Sequence, residues 1–379
     1  MKKIIYHIGD ISHPGGMERM VVLKANWLAD HGYDVTLLST SSPKESYFEL
    51  STKVKCDFLC CFESPIYSLK KNAIGALKSI WWSIKSRRDH KSKLKKYLTE
   101  HSCDYFITLI NRAFIPQLKD GSKKYFEIHF SSEIKTNYIQ NSHGIYRKLY
   151  QLGMWYQERI YLKYDKFFIL TEKDRKLRGA SDNMVVMPNF ITICQPDILP
   201  KYFSKRIISV GRLDTPKGYE YLFQAMKLVV CKHPDWQLHI YGYSYGREDY
   251  FNNLILNAGV ENNVFIHEPV HDIVSKYLNS SFYVMSSIYE GFPLCLGEAM
   301  ACGLPCVSYD CNCGPSEIIR DHEDGIIVKE VKSIEKLANA INYMIENPAI
   351  LVKMGKQAKV NIQRFSIDVV MNKWINFFK

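Results

Sequence analysis

Short apolar runs alternate with longer stretches of helical period along the 379 residues. Lys3–Ile8 is the first run, and a Gly15-Gly16 break follows it. Met20, Leu23, Trp27 and Leu28 then recur three to four residues apart, which predicts an amphipathic helix. Residues 34–38 form the next apolar run. Strand, helix, strand in that order opens a parallel α/β unit. Further strands are predicted at 105–110, 124–128 and 166–170. The pattern breaks at Met187-Pro188-Asn189-Phe190, with Pro196 and Pro200 close behind, so a linker is placed at 189–204. A second series has strands at 206–210, 237–241, 264–267, 281–285 and 305–309, with helices at 217–232 and 294–302. Regular strands with helices between them predict a second doubly wound domain. In the last segment, Ile367, Val370, Met371, Trp374 and Phe377 lie on one stripe. Such a helix needs an apolar partner, in its own domain or back across on the first. The boundaries read as 1–190, 205–364 and a terminal helix at 365–379. Two domains also suit a length that one hydrophobic core rarely supports.

Composition changes this picture little: 46% hydrophobic and 23% charged is an ordinary globular balance. The 11 cysteines show no framework of disulfide spacing. Cys302, Cys306, Cys311 and Cys313 match no paired zinc knuckle, and no histidine stands among them at ligand spacing. They read as small buried residues, and no metal site is expected. The start of the chain reads as a strand rather than a secretion signal, and no apolar run of about 18 residues suggests a membrane span. A reducing cytoplasm is the expected compartment.

Charge is the uneven quantity. Residues 1–190 hold 31 Lys and Arg against 19 Asp and Glu, whereas the remainder holds 19 against 20. The basic excess therefore lies in the first half, which is expected to meet something anionic. Residues 73–98 concentrate it. Ile74, Leu77, Ile80, Trp81, Trp82 and Ile84 are followed by Lys85, Arg87, Arg88, Lys91, Lys93, Lys95 and Lys96. Aromatic and aliphatic residues beside clustered cations predict an interfacial helix on an anionic membrane. The plainer alternative is a surface helix with Trp81 and Ile84 in the core. Peripheral docking on the inner face of the plasma membrane is the expectation.

Three constellations carry candidate chemistry, each between a predicted strand and a helix. Glu290-Gly291-Phe292-Pro293-Leu294 leads to Glu298. Gly291 lets the backbone approach a ligand. Free N–H groups at a helix start can hold an anion, and carboxylates accept from sugar hydroxyls. Gly211-Arg212 with Lys217-Gly218 places two cations where a diphosphate could be neutralised. Gly15-Gly16-Met17-Glu18-Arg19 is the third, and it lacks the spacing of a dinucleotide fingerprint or a Walker loop. Each has a plain alternative: a helix-start carboxylate and an exposed one for Glu290 and Glu298, solvated helix-end charges for Arg212 and Lys217, and a tight turn for Gly15-Gly16, while His129 at the end of an apolar run reads as a satisfied core histidine. Their joint placement at strand C-termini, where open α/β sheets bind ligands, favours a site.

Taken together in this order, the motifs resemble family 4 retaining glycosyltransferases of the GT-B fold. The resemblance rests on Gly15–Arg19, Glu127-Ile128-His129, Val210-Gly211-Arg212 with Lys217-Gly218, Glu290 with Glu298, Gly303-Leu304-Pro305 and Gly314-Pro315-Ser316-Glu317, across nearly the whole chain. It implies two Rossmann-like domains facing across a cleft, the first for acceptor and the second for a nucleotide sugar. It implies that Arg212, Lys217 and the backbone of Gly16 bind the donor diphosphate. Glu298 would take the ribose, Glu290 the transferred sugar, and His129 its reacting face. Backbone around Phe292 and Leu294 would add contacts, and Pro269 would wall the base. UDP is the expected nucleotide and a surface-polysaccharide or lipid-linked saccharide the expected acceptor. No Asp-x-Asp motif is visible, so no divalent ion or other cofactor is expected. A nucleotide-sugar epimerase of the same fold is the rival enzyme, and the basic aromatic segment argues against it. No helix-turn-helix, zinc-finger or RNA-recognition signature supports a nucleic-acid partner.

Overall fold

The computed structural model describes residues 1–62, 73–132 and 144–379; for 73–80, 145, 146 and 149 it describes the backbone alone. The side chains of Ile74, Leu77 and Ile80 therefore lie outside the described residues. Two parallel sheets organise the chain. The first contains β1 (Lys3–Ile8), β2 (Asp34–Ser39), β3 (Lys55–Phe58), β4 (Tyr105–Thr108), β5 (Lys123–Glu127), β6 (Lys166–Ile169) and β7 (Met184–Val186), in the order β3-β2-β1-β4-β5-β6-β7. The second contains β8 (Arg206–Val210), β9 (Gln237–Tyr241), β10 (Val264–His267), β11 (Phe282–Met285), β12 (Cys306–Tyr309) and β13 (Gly325–Val328), in the order β10-β9-β8-β11-β12-β13. Each is a doubly wound sheet whose strand order reverses beside its first strand, between β1 and β4 and between β8 and β11. Ligands of such sheets bind outside the strand C-termini at that reversal.

The first sheet carries α1 (Gly16–Asp30), α2 (Ala73–Glu100), α3 (Gly144–Tyr161) and the short α4 (Glu172–Leu177). The second carries α5 (Tyr219–Val230), α6 (Glu248–Ala258), α7 (Ile273–Leu278), α8 (Leu294–Ala301), α9 (Pro315–Ile318), α10 (Ile334–Glu346) and α11 (Pro348–Asn361). The last helix, α12 (Ile367–Ile375), crosses back. Its Val370, Met371 and Trp374 are buried with Ile4, Tyr6 and Ile8 of β1 and Met20 and Leu28 of α1. Trp27 Nε1 donates to Asp368 at 2.9 Å, and Tyr105 and Tyr125 donate to the carbonyls of Lys379 and Phe377. Side chains alternate along a strand, so Ile5 points the other way, into a cluster shared with Leu94 and Leu98 of α2 and Ile160 and Tyr161 of α3. Helices α2 and α3 thus cover one face of the first sheet, and α1 and α12 the other.

Strands β3, β7 and β13 escape the apolar-run pattern. Lys55-Cys56-Asp57-Phe58 is a half-exposed edge strand with charge in it, β7 has three residues, and β13 opens on glycine. The helix expected at 217–232 starts two residues later. Thr215–Lys217 forms a 3-10 turn, and Gly218 takes φ +62° before α5 begins. Among the described residues no helix is long and apolar enough to cross a membrane. Cys302, Cys306, Cys311 and Cys313 are buried, and no group of three or more potential metal ligands is assembled among the described residues.

Candidate functional site

The loops after β8 and β11 meet at the reversal point of the second sheet. Gly218 is the reason they can: a Cβ there would lie 2.4 Å from the carbonyl oxygen of Ser286, and its positive φ favours glycine. The loops are tied by Ser286 Oγ donating to the Lys217 carbonyl at 2.8 Å and by Ile288 N donating to the Pro216 carbonyl at 2.8 Å. This seats Lys217 Nζ 2.7 Å from Glu290 Oε1, which also accepts from Ser287 Oγ at 2.6 Å. Both members of the ion pair are mostly buried, at 17% and 13% side-chain exposure. Burial works against the Lys217 charge, but the Glu290 carboxylate outweighs it and holds the ammonium protonated well above the ordinary lysine range.

Across the cleft stands a second charged group. Lys24, on the inner face of α1, is ion-paired with Glu127 at the end of β5, and both are almost fully buried. Burial pushes the Glu127 carboxyl up, yet Lys24 and then His129 bring it down to about 2. His129 Nε2 lies 3.0 Å from Glu127 Oε1, and the imidazole is 5% exposed. Gly291 joins the two halves. A Cβ at Gly291 would meet the His129 carbonyl at 2.9 Å and Phe130 Cα at 3.2 Å, so the backbone of the second domain lies directly against the His129 loop of the first.

Glu298, 5% exposed inside α8, is reached from the first domain. Arg19 Nη1 donates to its Oε1 at 2.8 Å, Thr192 Oγ1 donates to the same oxygen at 2.5 Å, and Arg19 Nη2 donates to the Thr192 carbonyl at 3.1 Å. Gly16 opens α1 beside Leu294, the first residue of α8; a Cβ on Gly16 would lie 3.3 Å from Leu294 Cδ1. The two helix starts therefore face one another, with Pro293 as the residue preceding α8 rather than inside it.

The structure brings Lys217, Glu290, His129, Gly16, Leu294 and Glu298 to this interdomain region. It does not join Arg212 to them by a contact. The Arg212 guanidinium is 62% exposed and paired with Asp214 at 3.2 Å, although Gly211 beside it packs on the Lys217 side chain. The Phe292 side chain is core, edge-on to Phe365 at 5.2 Å, so only its backbone faces a ligand position. Pro269 is exposed just beyond β10, the edge strand of the second sheet. Sequence reasoning missed Thr192 and Lys24, and gave Arg19 no role. Lys24 had a signal: it is a lone cation on the apolar stripe of α1. Thr192 had none.

Comparisons with known proteins complete the picture. Residues 198–361 match the model of the family described as glycosyl transferases group 1. An uncharacterized glycosyltransferase of Haemophilus influenzae is 28% identical over 377 residues, 99% of each chain. The amylovoran biosynthesis glycosyltransferase AmsD of Erwinia amylovora is 24% identical over 380 residues, again 99% of each. Among solved structures, a mutant of S. aureus TarM in complex with fondaparinux, alpha-GlcNAc-glycerol and UDP superposes with a TM-score of 0.76 at 18% identity, covering all of both chains. The paired Rossmann-like sheets are thus the GT-B architecture, and the second sheet lies in the stretch that is similar to glycosyl transferases of group 1.

Proposed function

We propose that the protein transfers a hexose or N-acetylhexosamine, with retention at the anomeric carbon, from a nucleotide diphosphate sugar to a lipid-linked or lipopolysaccharide- or capsule-type saccharide. The observation that carries this reading is the buried Lys217–Glu290 pair at the reversal point of the second sheet, set against His129 of the first domain through Gly291. A departing nucleoside diphosphate gathers negative charge as the glycosidic bond breaks. Lys217, and Arg212 on turning inward from Asp214, neutralise it in this reading, with the start of α8 adding backbone N–H groups. Side-chain cations of this kind do the work a divalent ion does elsewhere, so the reaction is proposed to need no metal. Glu298 accepts from the ribose, Glu290 from the transferred sugar, and His129 lies near its reacting face. Pro269 borders the base and Gly16 offers its N–H to the diphosphate. UDP is proposed as the nucleotide, and its presence in the TarM complex supports that choice. The amylovoran relative supports a surface-polysaccharide setting. Residues 73–98 are proposed to dock peripherally on the cytoplasmic leaflet.

A thermal-shift screen of nucleotide sugars, with and without magnesium, tests the donor half. A ligand of the folded state at 100 times its Kd adds about 2.7 kcal/mol. The expected result is a rise in Tm with one UDP-sugar that is the same in EDTA. A rise that appears only with magnesium would remove the metal-free mechanism, and no rise with any nucleotide sugar would remove the donor assignment.

A further inference from the structure

The first sheet is short and the helices on one of its faces are long. Helix α2 has 28 residues, which spans about 42 Å. The longest strand of the sheet has six residues, about 20 Å. The contacts show which end overhangs. His90, midway along α2, reaches His7 near the C-terminus of β1 at 3.1 Å, and Leu94 and Leu98 lie deeper under the sheet. Residues 81–88 therefore project beyond the strand C-termini. Helix α3 does the same, because it is its last residue, Tyr161, that stacks on Phe126 of β5, 4.9 Å between ring centres. Both overhangs lie on one face of the sheet and at the edge that carries the Gly15-Gly16 loop and His129.

What they present to solvent is the reverse of a soluble surface. On α3, Lys148, Leu152, Trp155 and Arg159 follow each other at spacings of four, three and four residues, one stripe of a helix. Leu152 is 61% and Trp155 53% exposed, Tyr156 beside them is 55% exposed, and the Arg159 guanidinium lies over the Trp155 ring at 4.3 Å. The acid on this stretch, Glu158, is turned aside and paired with Arg178 at 2.9 Å. On α2, Trp81, Ile84, Lys85 and Arg88 make a matching stripe, with Trp81 56% and Ile84 45% exposed. Trp81 and Ile84 are therefore exposed and not part of a core among the described residues.

We infer that the protruding ends of α2 and α3 form a single docking platform for an anionic lipid leaflet, with α3 a principal contact. Leu152, Trp155, Trp81 and Ile84 enter the interfacial zone while the interleaved cations meet lipid phosphates, the combination that holds interfacial helices. Charge complementarity selects the occupant: exposed cations accompany every apolar residue of the stripes. The platform lies on the edge of the first sheet that faces the cleft, so docking brings a membrane-held acceptor to the His129 side. The inference rests on the membrane part of the proposed function and extends it to a helix outside residues 73–98.

Flotation of the full chain with phosphatidylglycerol–phosphatidylcholine vesicles, against phosphatidylcholine alone, tests it. Three variants are compared: Leu152→Ser/Trp155→Ser on α3, Trp81→Ser/Ile84→Ser on α2, and Lys148→Glu/Arg159→Glu. All six positions are exposed, and an unchanged Tm together with an unchanged Tm rise on adding the UDP-sugar confirms the fold and the donor site. The parent is expected to float with the anionic vesicles only. Each apolar double variant loses about tenfold in partitioning, and the charge reversal loses about fivefold for each cation removed. An α3 variant that floats like the parent overturns the two-helix platform and leaves docking to α2. A parent that does not float but keeps its UDP-sugar response overturns docking and leaves the donor reading standing. A parent that sediments as a dimer dissociated by Leu152→Ser/Trp155→Ser, without floating, gives the face to a second copy and overturns the lipid assignment.

Discussion

Three pairs of residues show how this chain stabilises groups that burial would otherwise penalise. Lys217 keeps its charge because Glu290 is 2.7 Å away, and Glu127 keeps its own because Lys24 and His129 flank it. His7 and His90 take the other course. Their rings meet at 3.1 Å between Nε2 atoms, and His7 Nδ1 pairs with Thr108 Oγ1 at 2.9 Å. Burial, with the Arg112 charge added, lowers His90 to about 4, and burial with His90 and Arg112 lowers His7 well below its ordinary value. A lowered histidine pKa favours the neutral native form. Its contribution is fully present above the unfolded value of 6.5 and is lost as pH falls toward about 4. For His90 this is about 3 kcal/mol. His90→Gln should therefore flatten the acid side of the stability profile, read as Tm against pH between about 6.5 and about 4; an unchanged slope would show that the pair does not titrate there. At this scale the glycines, carboxylates and cations of the motifs were legible because each lies in a loop or helix that follows a strand. It hid Thr192, whose role is fixed only when the linker passes Glu298.

Among the elements, the turn between β8 and α5 does most to shape the site. Lys217 faces Glu290 only because Gly218 takes φ +62° against the Ser286 carbonyl. Gly259, which ends α6 at φ +69° with open space around its Cβ position, provides a control. Gly259→Ala should cost about 1–2 kcal/mol for the left-handed conformation alone. Gly218→Ala should cost more, since backbone must also move, and should weaken the UDP-sugar response as well; urea unfolding of the two variants measures the difference. Equal losses would mean that the loop tolerates a displaced Ser286. The sequence read most strands correctly where they are apolar runs buried on both faces, as in Phe282–Met285. It passed over Lys55–Phe58 because a half-exposed edge strand loses that pattern. It expected a helix from 217 because periodicity continues through the 3-10 turn, and only the glycine conformation separates the two.

On the scale of the whole molecule, the two domains are held by few but specific contacts. Glu317 accepts from the backbone N–H groups of Glu172 and Lys173 at 3.0 and 2.8 Å, Lys173 pairs with Asp310 at 2.9 Å, and Arg19 pairs with Glu298. The chain then returns through α12, whose Trp374 is fully buried on the first sheet with Lys24 Nζ 4.7 Å above its ring. The apolar stripe of that helix was legible in the sequence; which domain it covers was not, since either sheet offers an apolar face. Trp374→Ala should destabilise the first domain by about 3–5 kcal/mol, seen in denaturant unfolding, while a loss below about 1 kcal/mol would be out of line with core burial. The most direct test of the whole account is steady-state transfer by Lys217→Ala, measured beside the parent in EDTA with the UDP-sugar that raises Tm. The account predicts full parent activity without metal and a fall in kcat of about 10²–10³ in the folded variant. A variant turning over within a few-fold of the parent would contradict it.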